Sequence, residues 1–531
     1  MLVTMPTGLE RRWLGLVVIP LVWFYTAATG WQSSAIRAAI MISLVLLGKM
    51  LLRPLNLANS LAASAWLILV CDPNQLFQPG FQLSFTVVAA IILCAEFAEP
   101  ALSRWFHADP LLPAVLLPRH HLRTLRIFKG FTMNFAISAG CWLGSLPLIA
   151  SEFHLVSFAG LWVNLLAVPA TSLVLASGMA SLLLGAIHPL LAAPGNAVGW
   201  LFMELTARLV ELAANLPGSF AWIGPFPTGW LAAFYGLLLA ALFEFWRRRW
   251  SLALVGILCA ASCGWALAES AASRNRWEIT ILPWRGNPIW IDPPSKSHRL
   301  LVDCSNAETA AGKLADYLRH QGVTRVGAAL LTHGDTAHVG GIGTLRSEFG
   351  LQRVFTSFIP ARSSAYRQVI QSLANDPGWE TIRRGDRLYG WDLLHPDPVE
   401  PGITRADDQA VVLRRELHGV ALLLMGDLGE EGQRRLLDRE PNLRADVVVA
   451  SVPAQGEPLL PELLAQVQPR LIIMATSEFP AREQGPARLR ERLRQTGIPT
   501  LYTGDQGAIR LQLSPSQAMA VPMDGESLPL R

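Results

Sequence analysis

Charge is what the first half of this chain lacks. Of its 531 residues, the first 270 carry 14 Lys+Arg and 10 Asp+Glu, 24 charges in all, whereas the remaining 261 carry 30 and 30, or 60. Charge this sparse between long apolar runs excludes a wholly soluble enzyme and a disordered chain. The net charge of +4 belongs to the first half (14 minus 10), and the second half is formally neutral. No global basic field therefore advertises nucleic acid. Cysteine is scarce as well. Cys71, Cys94, Cys141, Cys259 and Cys263 lie in apolar segments and Cys304 stands alone in the second half, which excludes a secreted disulfide scaffold and a cysteine metal cage. Repeats and low-complexity tracts are absent. No small-residue cleavage site follows the apolar run that ends near Gly30, so that run reads as a retained helix.

What is there, in place of charge, is a series of apolar segments near 13–29, 36–52, 57–71, 83–98, 130–150, 156–187, 190–215, 229–246 and 251–269. A spanning helix needs roughly 20 mostly apolar residues, because hydrocarbon satisfies no open backbone group. Residues 1–270 therefore read as a multi-pass membrane domain and Ser270–Arg276 as a linker. Two basic stretches, Arg119, Arg123, Arg126 and Lys129, then Arg247–Arg249, fall between spans and mark the cytoplasmic face. One more crossing would carry residues 275–531 to the opposite, outer or periplasmic side of the cytoplasmic membrane. Two breaks stand out, at Pro79–Phe85 and at Asn164–Pro169, the second expected to interrupt its helix. Arg37, at the start of a span, reads as a snorkelling interface residue.

The second half alternates short apolar strands, expected at 278–282, 299–303, 327–331, 410–413, 421–425, 447–450, 471–474 and 508–511, with helices near 308–320, 430–438 and 486–495. This is an α/β sandwich pattern. Its chemistry candidate is Thr332-His333-Gly334-Asp335-Thr336-Ala337-His338-Val339-Gly340-Gly341, where a strand ends and a loop opens. Imidazoles and a carboxylate at this spacing can converge on a divalent metal. Asp407-Asp408 reads as a turn before a strand, and His395 as structural. Arg482, Arg488, Arg490, Arg492 and Arg494 form a basic run that reads first as a solvated face and second as a phosphate-binding one.

Several of these motifs carry a resemblance. Arg37-Ala38-Ala39-Ile40-Met41, Pro54-Leu55-Asn56, Asp72-Pro73, Asn164 to Pro169 and, most specifically, Pro79-Gly80-Phe81-Gln82-Leu83-Ser84-Phe85 resemble the competence domain of ComEC-type DNA-uptake channels. The loop at His333 is similar to that family's metal loop, His-x-Asp-x-Asp-His-x-Gly-Gly, on a metallo-β-lactamase-like αββα sandwich. The resemblance implies a chain that imports single-stranded DNA across the membrane during natural transformation. Gln82, Ser84 and Asn164 would line the path, and Arg488, Arg490, Arg492 and Arg494 would contact DNA. It also implies partners besides DNA and lipid: an OB-like domain, normally upstream, a DNA receptor and a translocation ATPase. This chain is therefore expected to be either truncated at its start or split from a separate OB-like protein.

Position by position, the resemblance makes His333 and Asp335 ligands of one metal and His338 a ligand of a second, with Asp427, at the end of Leu422 to Asp427, bridging them. The departures are as informative. Ala337 stands where the family has an Asp ligand, and Val452-Pro453-Ala454-Gln455-Gly456-Glu457 replaces Val-Pro-His-His-Gly-Ser. Leu282 to Asn287 replaces Asp-Val-Gly-Gln-Gly-Asp, Asp303-Cys304-Ser305 replaces Asp-Thr-Gly, and no late histidine lies between Ala475 and Pro486. The expectation is at most one weakly bound zinc or manganese ion and no competent two-metal site. The alternative function is a membrane-tethered, metal-dependent hydrolase of nucleic acid.

Overall fold

The computed structural model describes residues 14–52, 56–105, 119–224, 228–242, scattered positions from 253 to 264, 275–359, 363–397, 405–477 and 484–531. The Arg247–Arg249 stretch, Arg482 and most of the expected span 251–269 lie outside the described residues. The chain falls into two compact units, Met1–Cys263 with His320–Gly322, and Gly264–Arg319 with Val323–Arg531.

Helices build the first unit: α1 (Leu14–Ala28), α2 (Ser33–Met50), α3 (Leu57–Cys71), α4 (Pro79–Trp105), α5 (Arg119–Glu152), α6 (Ala159–Gly185), α7 (Pro189–Ala214) and α8 (Thr228–Leu242). They overlie the first eight expected segments, with α4 longer than expected at both ends and α5 longer by 11 residues at its start. Among the described residues, Pro79–Glu96, Ile127–Glu152 and Ala159–Gly185 are long and apolar enough to cross a membrane. Their outward faces are apolar too: Leu173, Leu175, Leu182 and Leu183 of α6 are exposed. Water would penalise such a surface, whereas lipid tails accept it. A short antiparallel pair, β1 (Leu155–Ser157) with β2 (Phe220–Trp222), ties the end of α5 to the end of α7.

Three local details correct the sequence reading. The basic stretch Arg119–Lys129 is the start of the 34-residue α5 rather than a loop. Helix α6 runs unbroken through Pro169. Proline has no N–H for the Leu165 carbonyl four residues back, and the Asn134 side chain of α5 donates to that carbonyl at 3.5 Å instead. Arg37 does not snorkel. It is 6% exposed, and its guanidinium lies so close to Gly80 that a Cβ there would sit 3.3 Å from Nη2. The glycine of the Pro79–Phe85 motif thus makes room for a buried cation at the start of α4.

A sandwich forms the second unit. Its strands are β3 (Trp277–Ile281), β4 (Ile289–Asp292), β5 (Leu300–Val302), β6 (Ala328–Leu331), β7 (Arg353–Ser357), β8 (Trp379–Ile382), β9 (Arg387–Leu388), β10 (Trp391–His395), β11 (Val412–Leu417), β12 (Val420–Gly426), β13 (Val447–Ser451), β14 (Leu471–Ala475), β15 (Thr500–Tyr502), β16 (Ile509–Leu513), β17 (Ala518–Pro522) and β18 (Leu528–Pro529). One sheet has the order β18-β17-β16-β3-β4-β5-β6-β7-β8 and the other β15-β14-β13-β12-β11-β10-β9. Alternation sets the layers. Ile279, Ile281, Leu300 and Leu330 of one sheet pack on Leu413, Leu422, Val447 and Ile473 of the other. The residues between them face outward onto helices: Leu301, Ala329 and Leu331 meet Leu314, Leu318 and Leu345, while Leu423, Val448 and Ile472 meet Leu436, Leu463 and Leu493. This is the expected αββα arrangement. The interior strands are buried on both faces, which is why they read as continuous apolar runs.

Candidate functional site

The site lies where strand ends of both sheets meet. Strand β6 stops at Leu331, and the loop after it is anchored by Asp303, which follows β5 with φ 61°. The Asp303 carboxylate accepts from the Thr332 N–H at 2.9 Å and from the Thr332 hydroxyl at 2.8 Å, and it lies 2.9 Å from Nδ1 of His338. The Thr332 hydroxyl in turn lies 3.0 Å from Nδ1 of His333. Both imidazoles are therefore held by Nδ1, one directly and one through Thr332, and both present Nε2 to the same space. A carboxylate or hydroxyl partner behind each ring is how proteins orient metal-ligating histidines.

Asp427 closes this space from the other sheet, one residue past β12. Its Oδ2 lies 3.4 Å from His333 Nε2 and 3.3 Å from His338 Nε2. Among the described residues, His333, His338 and Asp427 are the group of three whose ligand atoms all fall within 4.8 Å of one another. All three are buried. His333 Nε2 and Asp427 Oδ1 are buried with no hydrogen-bond partner, a costly arrangement that a bound cation would relieve. Burial works against charging His338, yet the Asp427 and Asp303 carboxylates outweigh it and hold the imidazole well above its usual range. Burial likewise opposes ionisation of Asp427, but His333 and His338 prevail and its carboxyl sits far below the usual carboxylate range.

Asp335 is not part of this group. It caps the short helix α9 (Thr336–Val339), its carboxylate accepting from the Thr336 N–H at 2.6 Å. Ala337 is buried in α9, with Gly286 of the preceding Trp284–Asn287 turn lying on its carbonyl. Asp303 and Asp407 are the residues that sequence reasoning missed. Asp407 does sit in a 3-10 turn before β11, as read, but its carboxylate also faces the site, with Oδ1 4.0 Å from His333 Nε2. Burial first, and then the neighbouring Asp427, push its carboxyl up.

The basic run occupies α11 (Ala487–Gln495), which follows α10 (Glu430–Arg439) in the second unit. Its guanidinium groups are mostly engaged within the fold. Arg490 pairs with Asp505 and stacks over Tyr502. Arg492 donates to the Leu459 and Pro458 carbonyls, and Arg494 pairs with Glu491. The Arg488 side chain is 91% exposed, with Glu457 at 4.0 Å.

In the first unit, a cavity of about 750 Å³ lies among α3, α4, α5 and α8. Phe81, Gln82, Phe85, Thr86 and Ala89 of α4 line it, the spacing of one helix face. Ser84 lies off that face, and Asn164 belongs to α6, which does not border the cavity. Gln82 is thus placed at the cavity, and the other two expected lining residues are elsewhere. Most of the wall is apolar, with a polar edge formed by Gln82, Thr86, Ser151, Glu152 and Tyr235. Tyr235 also joins the helices: its hydroxyl accepts from the Leu148 N–H at 3.2 Å and donates to the Gly144 carbonyl at 2.9 Å, beside Pro147 in α5.

Comparison with known proteins bears on both units. Residues 1–249 match the family model described as competence protein. ComE operon protein 3 of Bacillus subtilis (strain 168) is 23% identical over 530 residues, covering 95% of this chain and 64% of that protein. Competence protein ComA of Neisseria gonorrhoeae is 24% identical over 458 residues, covering 84% and 57%. The chain thus spans less than two thirds of the length of these curated relatives. Among solved structures, Tm1679, a metal-dependent hydrolase of the β-lactamase superfamily, is 13% identical with a TM-score of 0.31, covering 45% of this chain and 99% of that one. Igni18, a metallo hydrolase from Ignicoccus hospitalis KIN4/I, is 12% identical with a TM-score of 0.30, covering 44% and 98%.

Proposed function

We propose that this chain, ComEC-type in arrangement with a competence domain followed by a lactamase-like sandwich, is a membrane channel that imports DNA as a single strand during natural transformation. The observation that carries the reading is the match of residues 1–249 to the competence model; within that region, the Pro79–Phe85 face of α4 borders a cavity that is mostly apolar with a few polar groups. A polyanion needs an aqueous, polar-lined route, since burying even one unpaired charge costs several kcal/mol. Of the polar groups at the cavity, Gln82, Thr86 and Ser151 are neutral and can hydrate a strand without trapping its phosphates, whereas Glu152 would repel them and Tyr235 is engaged with α5. The membrane domain ends near residue 270 and the sandwich begins near 275. With the basic start of α5 on the cytoplasmic side, the sandwich faces outward from the cytoplasmic membrane. Arg488 is the basic side chain of α11 left to meet an incoming phosphate. The remaining partners are those of ComEC systems: an OB-like domain, a DNA receptor and a translocation ATPase.

In the sandwich, His333, His338 and Asp427 fit one zinc or manganese ion: two nitrogen donors, one oxygen donor, and ring orientations already set. Such an ion supplies a fixed positive charge and a Lewis acid at the strand ends. The chain's own groups do the positioning, Asp303 fixing both rings and Gly426, with φ 54°, turning Asp427 inward. A second ion would need the ligands that Ala337 and Ala454 replace, so two-metal hydrolysis has no support in these residues.

The test uses a transformable host stripped of its own channel chain and supplied with every other component. This chain, fused after Arg531 to a reporter active only outside the cytoplasm, should restore transformants and show reporter activity. Abundant membrane-inserted chain with no transformants would refute the channel, and a silent reporter would reverse the orientation.

A further inference from the structure

We propose that Tyr235 is a releasable latch between α8 and α5 that sets the width of the cavity in the membrane unit. The inference concerns how the helices move and does not depend on what the cavity conducts.

The latch starts from Pro147. A proline inside a helix has no N–H for the carbonyl four residues back, here that of Leu143, and its ring pushes against that carbonyl, so the turn is loosened. Helix α5 contains Pro147 and stays helical to Glu152. In the same turn, Gly144 and Leu148 are four residues apart, the spacing at which a helical N–H meets its carbonyl. The Tyr235 hydroxyl, coming from α8, bridges this pair. It accepts from the Leu148 N–H at 3.2 Å and donates to the Gly144 carbonyl at 2.9 Å.

The two partners of the hydroxyl are also partners for each other, and that makes the contact releasable. Withdrawing a hydrogen bond between helices in hydrocarbon strands a polar group, which is costly. Here the Leu148 N–H and the Gly144 carbonyl close the ordinary helical bond when the hydroxyl leaves, and neither is stranded. The departing hydroxyl still has polar neighbours at the cavity edge, where Gln82 and Thr86 stand. Two arrangements that satisfy the same groups make a two-state element.

Both sides of the latch border the cavity. Leu231, Tyr235 and Leu238 come from α8, Leu148 and Ser151 from α5, so a shift of α8 away from α5 resizes the space between them. Apart from Thr228 and Trp230 in its first turn, α8 otherwise consists of apolar residues and glycine. Apolar contacts between helices in lipid are weakly directional, which leaves the Tyr235 hydroxyl to fix the position of α8.

The experiment is pulsed electron spin resonance on the full chain in lipid nanodiscs, with spin labels carried by unnatural side chains in place of Gly130 of α5 and Gly236 of α8. Nothing lies within 4 Å of a Cβ at either glycine. Hydrogen exchange of the peptide spanning residues 143–150 is followed in parallel. Tyr235→Phe keeps the ring and removes the hydroxyl. The ratio of displaced to parental inter-label distance should rise about 2–10-fold, the net worth of one hydrogen bond, while the peptide stays as protected as in the parent because its backbone pair has closed. Pro147→Ala, which restores the N–H and tightens the turn, should shift the distances the same way. Parental distances in either variant overturn the proposal. If Tyr235→Phe opens the peptide to exchange, or the chain no longer inserts and folds, the backbone pair does not close and Tyr235 is a fixed structural cap, which overturns it too.

Discussion

Gly341→Ala should strongly destabilise the sandwich. A Cβ at this position would overlap the Cys304 carbonyl oxygen and the Ala310 side chain, and both of those residues are 0% exposed. Neither neighbour can give way cheaply. The Cys304 N–H is bonded to the His338 carbonyl at 2.8 Å, and the Gly341 N–H to the Ser305 carbonyl at 3.0 Å, so the histidine loop and the exit of β5 are stitched together on both sides. Overpacking a close-packed core costs about 1–3 kcal/mol, and here backbone must move as well, which places the loss at the upper end or beyond. For a unit of this size, roughly 2–4 °C is lost per kcal/mol, so the melting midpoint of the sandwich should fall by about 10 °C. Gly343→Ala is the contrast. Gly343 lies in the helix Ile342–Phe349, nothing lies within 4 Å of a Cβ there, and alanine in a helix is favoured over glycine by about 0.5–1 kcal/mol, so its midpoint should match or exceed the parent's. Equal melting of Gly341→Ala and the parent would mean that the loop does not pack as described.

In the membrane unit the largest effect is expected from Gly144→Leu. Gly140 and Gly144 lie one turn apart on α5 and face α4. A Cβ on Gly140 would come within 2.8 Å of Cys94 Cβ, while one on Gly144 would overlap Ala90 and lie 3.3 Å from the Thr86 carbonyl. Small residues four apart let helices approach closely where no hydrophobic effect drives them together. A leucine here would force α4 and α5 apart at Thr86, which borders the cavity, and beside the Gly144 carbonyl that receives the Tyr235 hydroxyl. Transformants should fall to background and the detergent-solubilised membrane unit should melt earlier. Gly130→Leu, on the same helix but with nothing within 4 Å, should behave as the parent in both assays. Parental transformation by Gly144→Leu would show that the α4–α5 contact does not shape the path.

Much of the fold is legible in the sequence because local rules set it. Apolar length gives α1 to α8, and the doubly buried strands β5, β6, β12, β13 and β14 appear as short apolar runs within a residue or two of their bounds. The motif from Pro79 opens α4 because proline fits a first turn and Gly80 admits Arg37. What escapes is set by partners distant in the chain. Helix α6 reads as broken at Pro169 until Asn134, 31 residues before Leu165, supplies the missing donor. Strands β9, β15 and β18 are two or three residues long, too short for any alternation to register. The site divides the same way. His333, His338 and Asp427 follow from strand-end motifs, whereas Asp303 and Asp407 are joined to them only by the fold. A capping carboxylate such as Asp335 and a ligating one look alike in a spacing pattern. The arginines of α11 look free in sequence because Asp505 and the Leu459 and Pro458 carbonyls come from elsewhere.

If the chain is the proposed channel, DNA passes along the α4 face that carries Gln82. The measurement places a photo-crosslinking side chain at single positions in membrane-inserted chain and illuminates cells during uptake of labelled DNA. Substitution at Gln82 or Thr86, which line the cavity, should capture the incoming strand. Substitution at Ser84 of the same helix, or at Asn164 of α6, should not. Capture at Ser84 or Asn164 with none at Gln82 or Thr86 would contradict the claim and move the path to another face of the helices.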